Sequence, residues 1–227
     1  MTDIDPSERH DAERSIRFLI EEIDRYLAGL PGPGIAETRK GIAKSRGEAF
    51  THSPARSRPG VVVPNCLAAA LGPLAATHPS LAQAISAAVP SLFWETYDAY
   101  PPEDIGEDFV TNHAFATIIG GPALPSADYS MGLFVIGPHV VYRDHHHPAP
   151  ELYVPLTGPH GWRFEPDTAL VVKPAHQPVW NEPNQPHLTK VGSIPFLCIY
   201  AWTRDISEPA RVLAASDWKQ LEALRLG

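Results

Sequence analysis

Apolar residues first recur at helical spacing. Ile16, Leu19, Ile20, Ile23 and Leu27 repeat every three or four positions until Gly29 and Pro31 interrupt them. Asp5-Pro6, a capping side chain followed by a first-turn proline, predicts where this amphipathic helix begins. A Pro/Gly break at 31–34 leads into a polar stretch at 39–58 with room for one weak helix. The Ser/Pro/Arg-rich segment THSPARSRPG closes that stretch and is expected to be an exposed linker. Residues 65–88 are rich in Ala and Leu and predict one or two short helices, interrupted near Gly72-Pro73 and His78-Pro79.

After the aromatic segment 92–100 and the break at Pro101-Pro102, the period changes. Short runs of Val, Ile, Phe, Tyr and Trp, separated by Gly, Pro, Asn or Asp, predict strands at 114–119, 130–136, 140–143, 151–156, 161–164, 169–173, 179–181, 187–191 and 195–202. Strands this short and dense suit an antiparallel barrel or jelly roll. Ser216-Asp217, followed by Trp218, Leu221, Leu224 and Leu226, reads as a closing helix. The expected fold is mainly β. Residues 1–110 would be a helical extension packed on a barrel formed by 111–227, all in one structural unit.

Composition narrows the partners. The 227 residues are 44% hydrophobic, enough for a sizeable core, and a net charge of -8 argues against nucleic acid or an anionic membrane surface. The N-terminal residues lack a basic region followed by an apolar run, and no segment reaches the roughly 18–20 apolar residues of a membrane span. Cys66 and Cys198 sit in apolar segments and read as reduced core thiols. The expectation is a soluble cytoplasmic protein acting on a small molecule, with a homodimer left open.

The most informative stretch is Tyr142-Arg-Asp-His-His-His-Pro-Ala-Pro-Glu-Leu-Tyr-Val-Pro-Leu-Thr-Gly158. His145, His147 and Glu151 fall at H-x-H-x-x-x-E spacing. Strand positions two apart share a face, so His145 and His147 can point together into a barrel. Pro148 and Pro150 break the strand, and Glu151 opens the returning one. Two imidazoles and a carboxylate suit a divalent transition metal, and His187, opening a later run, is the candidate third imidazole. Iron, zinc, manganese, nickel and cobalt all suit such a set. His146 has the wrong alternation and is expected beside the site or facing solvent.

These residues resemble the cupin superfamily and, more narrowly, the cupin-type dimethylsulfoniopropionate lyases and their lyase-like relatives. The narrower likeness rests on the run from His145 to Tyr153 (HxHPAPELY), on Tyr142, on His187, and on Trp202 in the last long strand. Gly137 lies further upstream than the generic cupin pattern places its glycine. The resemblance implies that His145, His147, Glu151 and His187 hold the metal with Tyr153 and Tyr142 beside it. It also implies that one tyrosine removes the proton next to the substrate carboxylate.

Tyr153 shares the parity of Glu151 and is the stronger candidate base. Tyr142 has the parity opposite to His145, so reaching the metal requires a bulge near Arg143-Asp144. Alternation also sends Phe196, Cys198, Tyr200 and Trp202 to one strand face, where Trp202, Tyr200 and Phe196 are candidates for holding a sulfonium head by aromatic contact. His113, His139, His160 and His176 are expected in loops or on strand surfaces. Lys173 and Lys190 are candidates for the substrate carboxylate. Two other functions fit the same ligands: a lyase-like cupin acting on another small carboxylate or a sugar, and a non-catalytic small-ligand-binding cupin.

Overall fold

The computed structural model describes residues 6–51, 62–98 and 100–226. Four helices come first: α1 (Pro6–Ala28), α2 (Ile35–Ser45), α3 (Val62–Thr77) and α4 (Pro79–Ala88). Two short helices follow, α5 (Pro102–Ile105) and α6 (Glu107–Thr111), before the strands begin. The strands are β1 (His113–Ile119), β2 (Ser130–Ile136), β3 (Val141–His146), β4 (Glu151–Pro155), β5 (His160–Arg163), β6 (Val171–Lys173), β7 (Val179–Asn181), β8 (His187–Lys190), β9 (Phe196–Trp202) and β10 (Arg211–Val212). Helix α7 (Trp218–Ala223) ends the chain.

The strands form two five-stranded antiparallel sheets, ordered β1-β2-β9-β4-β7 and β10-β3-β8-β5-β6. With its helical N-terminal layer, this is the expected cupin jelly roll. The first sheet is buried on both faces. Leu197, Ile199 and Ala201 of β9 join the core shared with α1, α3 and α4, whereas Phe196, Cys198 and Tyr200 join the core between the sheets. Double burial explains why β2, β4 and β9 read as continuous apolar runs instead of alternating ones. Gly132 on β2 serves this inner face: a Cβ there would meet the Tyr200 ring at 2.9 Å and the Ala116 carbonyl at 2.1 Å.

In α1 the expected stripe is the buried one, with Ile16, Leu19, Ile20, Ile23 and Leu27 all in the core. Several expectations are corrected. The weak helix is α2, which starts at Ile35, ahead of the polar stretch. Helix α3 runs through Gly72-Pro73, because both residues lie on its exposed side and the carbonyl that Pro73 leaves unpaired can be hydrated. The break at His78-Pro79 holds. Helices α5 and α6 extend the helical N-terminal part up to β1, and β10 was too short to show a pattern. Asp5 and, apart from Thr51, the linker segment lie outside the described residues. Among the described residues, no helix is long and apolar enough to cross a membrane.

Candidate metal centre

Strand β3 ends in the histidine run, and β8 lies beside it with His145 paired to His187. His147 follows β3 directly, and Glu151 opens β4. One ring nitrogen from each of His145, His147 and His187 lies within 4.8 Å of the others, and all three residues are buried. A Glu151 carboxylate oxygen stands 3.1 Å from His147 Nε2 and 3.3 Å from His187 Nε2. The other oxygen accepts the Trp202 indole N–H at 2.8 Å.

Each imidazole has its tautomer set by the backbone. Nδ1–H of His145 donates to the Arg143 carbonyl at 2.8 Å, that of His147 to Ala149 at 2.8 Å, and that of His187 to Gln185 at 2.9 Å. A carbonyl can only accept, so in the neutral rings all three Nε2 atoms carry lone pairs into the centre. His145 Nε2 and His187 Nε2 are buried with no hydrogen-bond partner. Burial and the neighbouring imidazoles hold the His145 pKa well below its ordinary value, which favours the neutral, ligating form. Burial would raise the Glu151 pKa, and a positive charge at the cluster, carried by the imidazoles of His147 and His187 when protonated, outweighs it and holds the carboxyl below the usual range. Lone pairs and an ionised carboxylate at 3.1–3.3 Å repel unless a cation lies between them, and three imidazoles with one carboxylate suit a divalent transition metal.

Through Glu151 the candidate ligand cluster adjoins a cavity of about 270 Å³, lined by Glu151, Tyr153, Tyr142, Tyr200, Trp202 and His113 from the sheets and by Tyr97, Tyr100 and Phe109 from the covering segment before β1. Neither Lys nor Arg is among its described lining residues. Tyr142 stacks on the His145 ring at 3.9 Å, and its hydroxyl pairs with that of Tyr100 at 2.9 Å. Burial and the Glu151 charge push the Tyr153 phenol well above its ordinary pKa, so it is neutral unless a cation is near.

With this geometry in view, the family model for dimethylsulfoniopropionate (DMSP) lyase matches residues 38–198. The chain belongs to the DMSP lyase family. Two solved structures share the fold. A chain from the crystal structures of the DMSP lyases RdDddP and RnDddQII is 18% identical with a TM-score of 0.67, the match covering 89% of this chain and 100% of that one. DMSP lyase DddQ from Ruegeria pomeroyi DSS-3 is 20% identical with a TM-score of 0.62, covering 88% and 96%. At such identities the likeness speaks for the fold. No curated protein matches the chain.

The fold brings the four expected ligands of this DMSP lyase family member to one point, with Tyr153, Tyr142, Tyr200 and Trp202 on the adjoining wall. The bulge required for Tyr142 is present. Tyr142 pairs with Thr189 and His145 with His187, so three steps on β3 oppose two on β8. Phe196 is a correction: it shares the face of Trp202 but packs in the core against Trp162, His160, Tyr153 and Phe134, outside the cavity lining. Lys190 is a second correction. Its amine is buried and bonded to the His139 and Glu222 carbonyls, away from the cavity. Lys173 ends the edge strand β6 and is also outside the lining.

His113 and His160 are fully buried, contrary to expectation. His113 accepts the Tyr97 N–H at 2.8 Å, donates to the Phe109 carbonyl at 2.6 Å, and so ties the covering segment to β1. His139 and His176 do lie in turns with left-handed backbone, and His146 is half-buried outside the lining. Sequence reasoning missed Tyr97, Tyr100, Phe109 and Phe134 as cavity walls. The aromatic density of 92–100 was visible, but nothing local showed that it would fold back over the barrel.

Proposed function

We propose that this chain cleaves dimethylsulfoniopropionate to dimethyl sulfide and acrylate in a metal-dependent β-elimination. One observation carries the reading: an aromatic cavity with no Lys or Arg among its described lining residues reaches Glu151, whose carboxylate adjoins a buried three-histidine cluster, with Tyr153 beside it on the cavity wall. Family membership supports the same substrate. His145, His147, Glu151 and His187 would hold a divalent ion, which when bound would withdraw charge from the substrate carboxylate and make its α-proton removable.

The chain's own groups divide the remaining work. Tyr153 accepts the α-proton; its phenol is otherwise kept neutral by burial and by Glu151, so it acts as base only with a cation alongside. Tyr142 is placed to orient, since its hydroxyl is already paired to Tyr100 and its ring packs on His145. The electron pair of the broken C–H bond forms the carbon–carbon double bond of acrylate, and the C–S pair leaves with sulfur as neutral dimethyl sulfide. Trp202 and Tyr200 present aromatic faces to the sulfonium methyls, each worth about 0.5–2 kcal/mol when water is excluded.

The test is headspace gas chromatography on metal-loaded protein given dimethylsulfoniopropionate. Dimethyl sulfide should form, and Tyr153→Phe should lower kcat by about 10²–10⁴-fold with metal content unchanged. Undiminished turnover in that variant would remove Tyr153 as base. Absence of gas from protein shown to be metal-loaded would refute the substrate.

A further inference from the structure

The inserted residue in β3 is held from outside the barrel. Arg143 and Asp144 lie between the two positions where the β3–β8 register shifts, immediately before His145. The Arg143 carbonyl accepts the His145 Nδ1–H, so the placing of the bulge sets the plane of that imidazole.

Both side chains of the bulge reach α7. Arg143 donates to Glu222 Oε1 through Nε at 3.0 Å and Nη2 at 2.7 Å, and its guanidinium lies over the Trp218 ring, 4.5 Å from the centroid. Asp144 is fully buried; it accepts the Trp218 indole N–H at 2.7 Å and two bonds from Arg163, which also binds Asp217 at 2.6 Å. The third donor of Arg143 turns the other way, to the Glu103 and Asp104 carbonyls of α5 at 3.0 and 2.9 Å. Gly106, at φ +96°, permits that approach, since a Cβ there would sit 3.2 Å from the guanidinium.

We infer that α7 and Arg143 are positioning elements of the metal centre: they hold the β3 bulge, and through the Arg143 carbonyl they fix His145 for ligation. Arg143 also ties α5 to the same point. This rests on the metal-centre reading and deepens it, because it makes a surface helix with no residue in the cavity a determinant of metal affinity. Partners that orient a ligating histidine typically contribute about 10–100-fold to metal affinity.

The experiment compares wild type, Trp218→Phe/Glu222→Ala, Glu222→Ala alone, and Lys219→Ala, an exposed α7 position, as control. The double variant leaves the Arg163–Asp144 pair intact, so the buried carboxylate keeps a charged partner. Far-UV circular dichroism checks folding. Zinc and cobalt affinities are measured by chelator competition, and the visible spectrum of the cobalt-loaded protein reports ligand geometry. The double variant should bind about 10-fold more weakly with an altered cobalt spectrum, Glu222→Ala should show a smaller loss, and Lys219→Ala none. A folded double variant, or folded Glu222→Ala should the double fail to fold, with affinity within about twofold of wild type and an unchanged cobalt spectrum would overturn the inference alone. Wild type that binds neither metal would overturn the metal-centre reading with it.

Discussion

His160 makes the chain's stability sensitive to mild acid. Its Nδ1 accepts the Gly192 N–H at 3.1 Å, so in the neutral ring Nε2–H donates to the Thr157 hydroxyl at 3.2 Å. That hydroxyl in turn donates to the Pro195 carbonyl and accepts the Leu197 N–H, which leaves no freedom to reverse the ring's polarity. Protonating Nδ1 would set two donors against each other in a site that is 1% exposed. Burial accordingly lowers the pKa from 6.5 to about 4.

The unfolded chain therefore binds a proton between these values that the folded chain does not, and stability rises with pH across that window. The contribution is complete above about pH 6.5 and is lost as pH falls toward 4. The gap is worth about 3 kcal/mol in all, of which roughly 2.5 is lost by pH 4.5. Urea unfolding of metal-free wild type and His160→Gln at pH 7, 6, 5 and 4.5 would isolate it, since all other titrating groups are shared. The stability advantage of wild type should shrink by roughly 2.5 kcal/mol over the series. An advantage that stays constant with pH would refute the reasoning.

Replacing Arg163 by Leu strands the fully buried Asp144 carboxylate with only the Trp218 indole, and should lower unfolding free energy by about 3–5 kcal/mol in denaturant titrations. Phe196→Ala removes a ring packed against Trp162, His160, Tyr153 and Phe134, and should cost about 3–5 kcal/mol in the same assay.

Local pattern by itself determined much of this molecule. Helical spacing marked the buried stripe of α1, and the two-residue spacing of His145 and His147 followed by Glu151 marked candidate ligands that a strand and its return must bring together. Parity even required the bulge that Tyr142 needed. Tertiary packing decided the rest. Alternation tells which face a side chain takes but not how deep along the barrel it lies; Phe196 and Trp202 share a face yet stand about 20 Å apart along the strand, so one is core and the other cavity. The burial of His113 and His160, the cavity walls contributed by Tyr97, Tyr100 and Phe109, and the grip of α7 on β3 depend on segments distant in sequence meeting across a surface. Such contacts are set by how whole elements pack, and no local period encodes them.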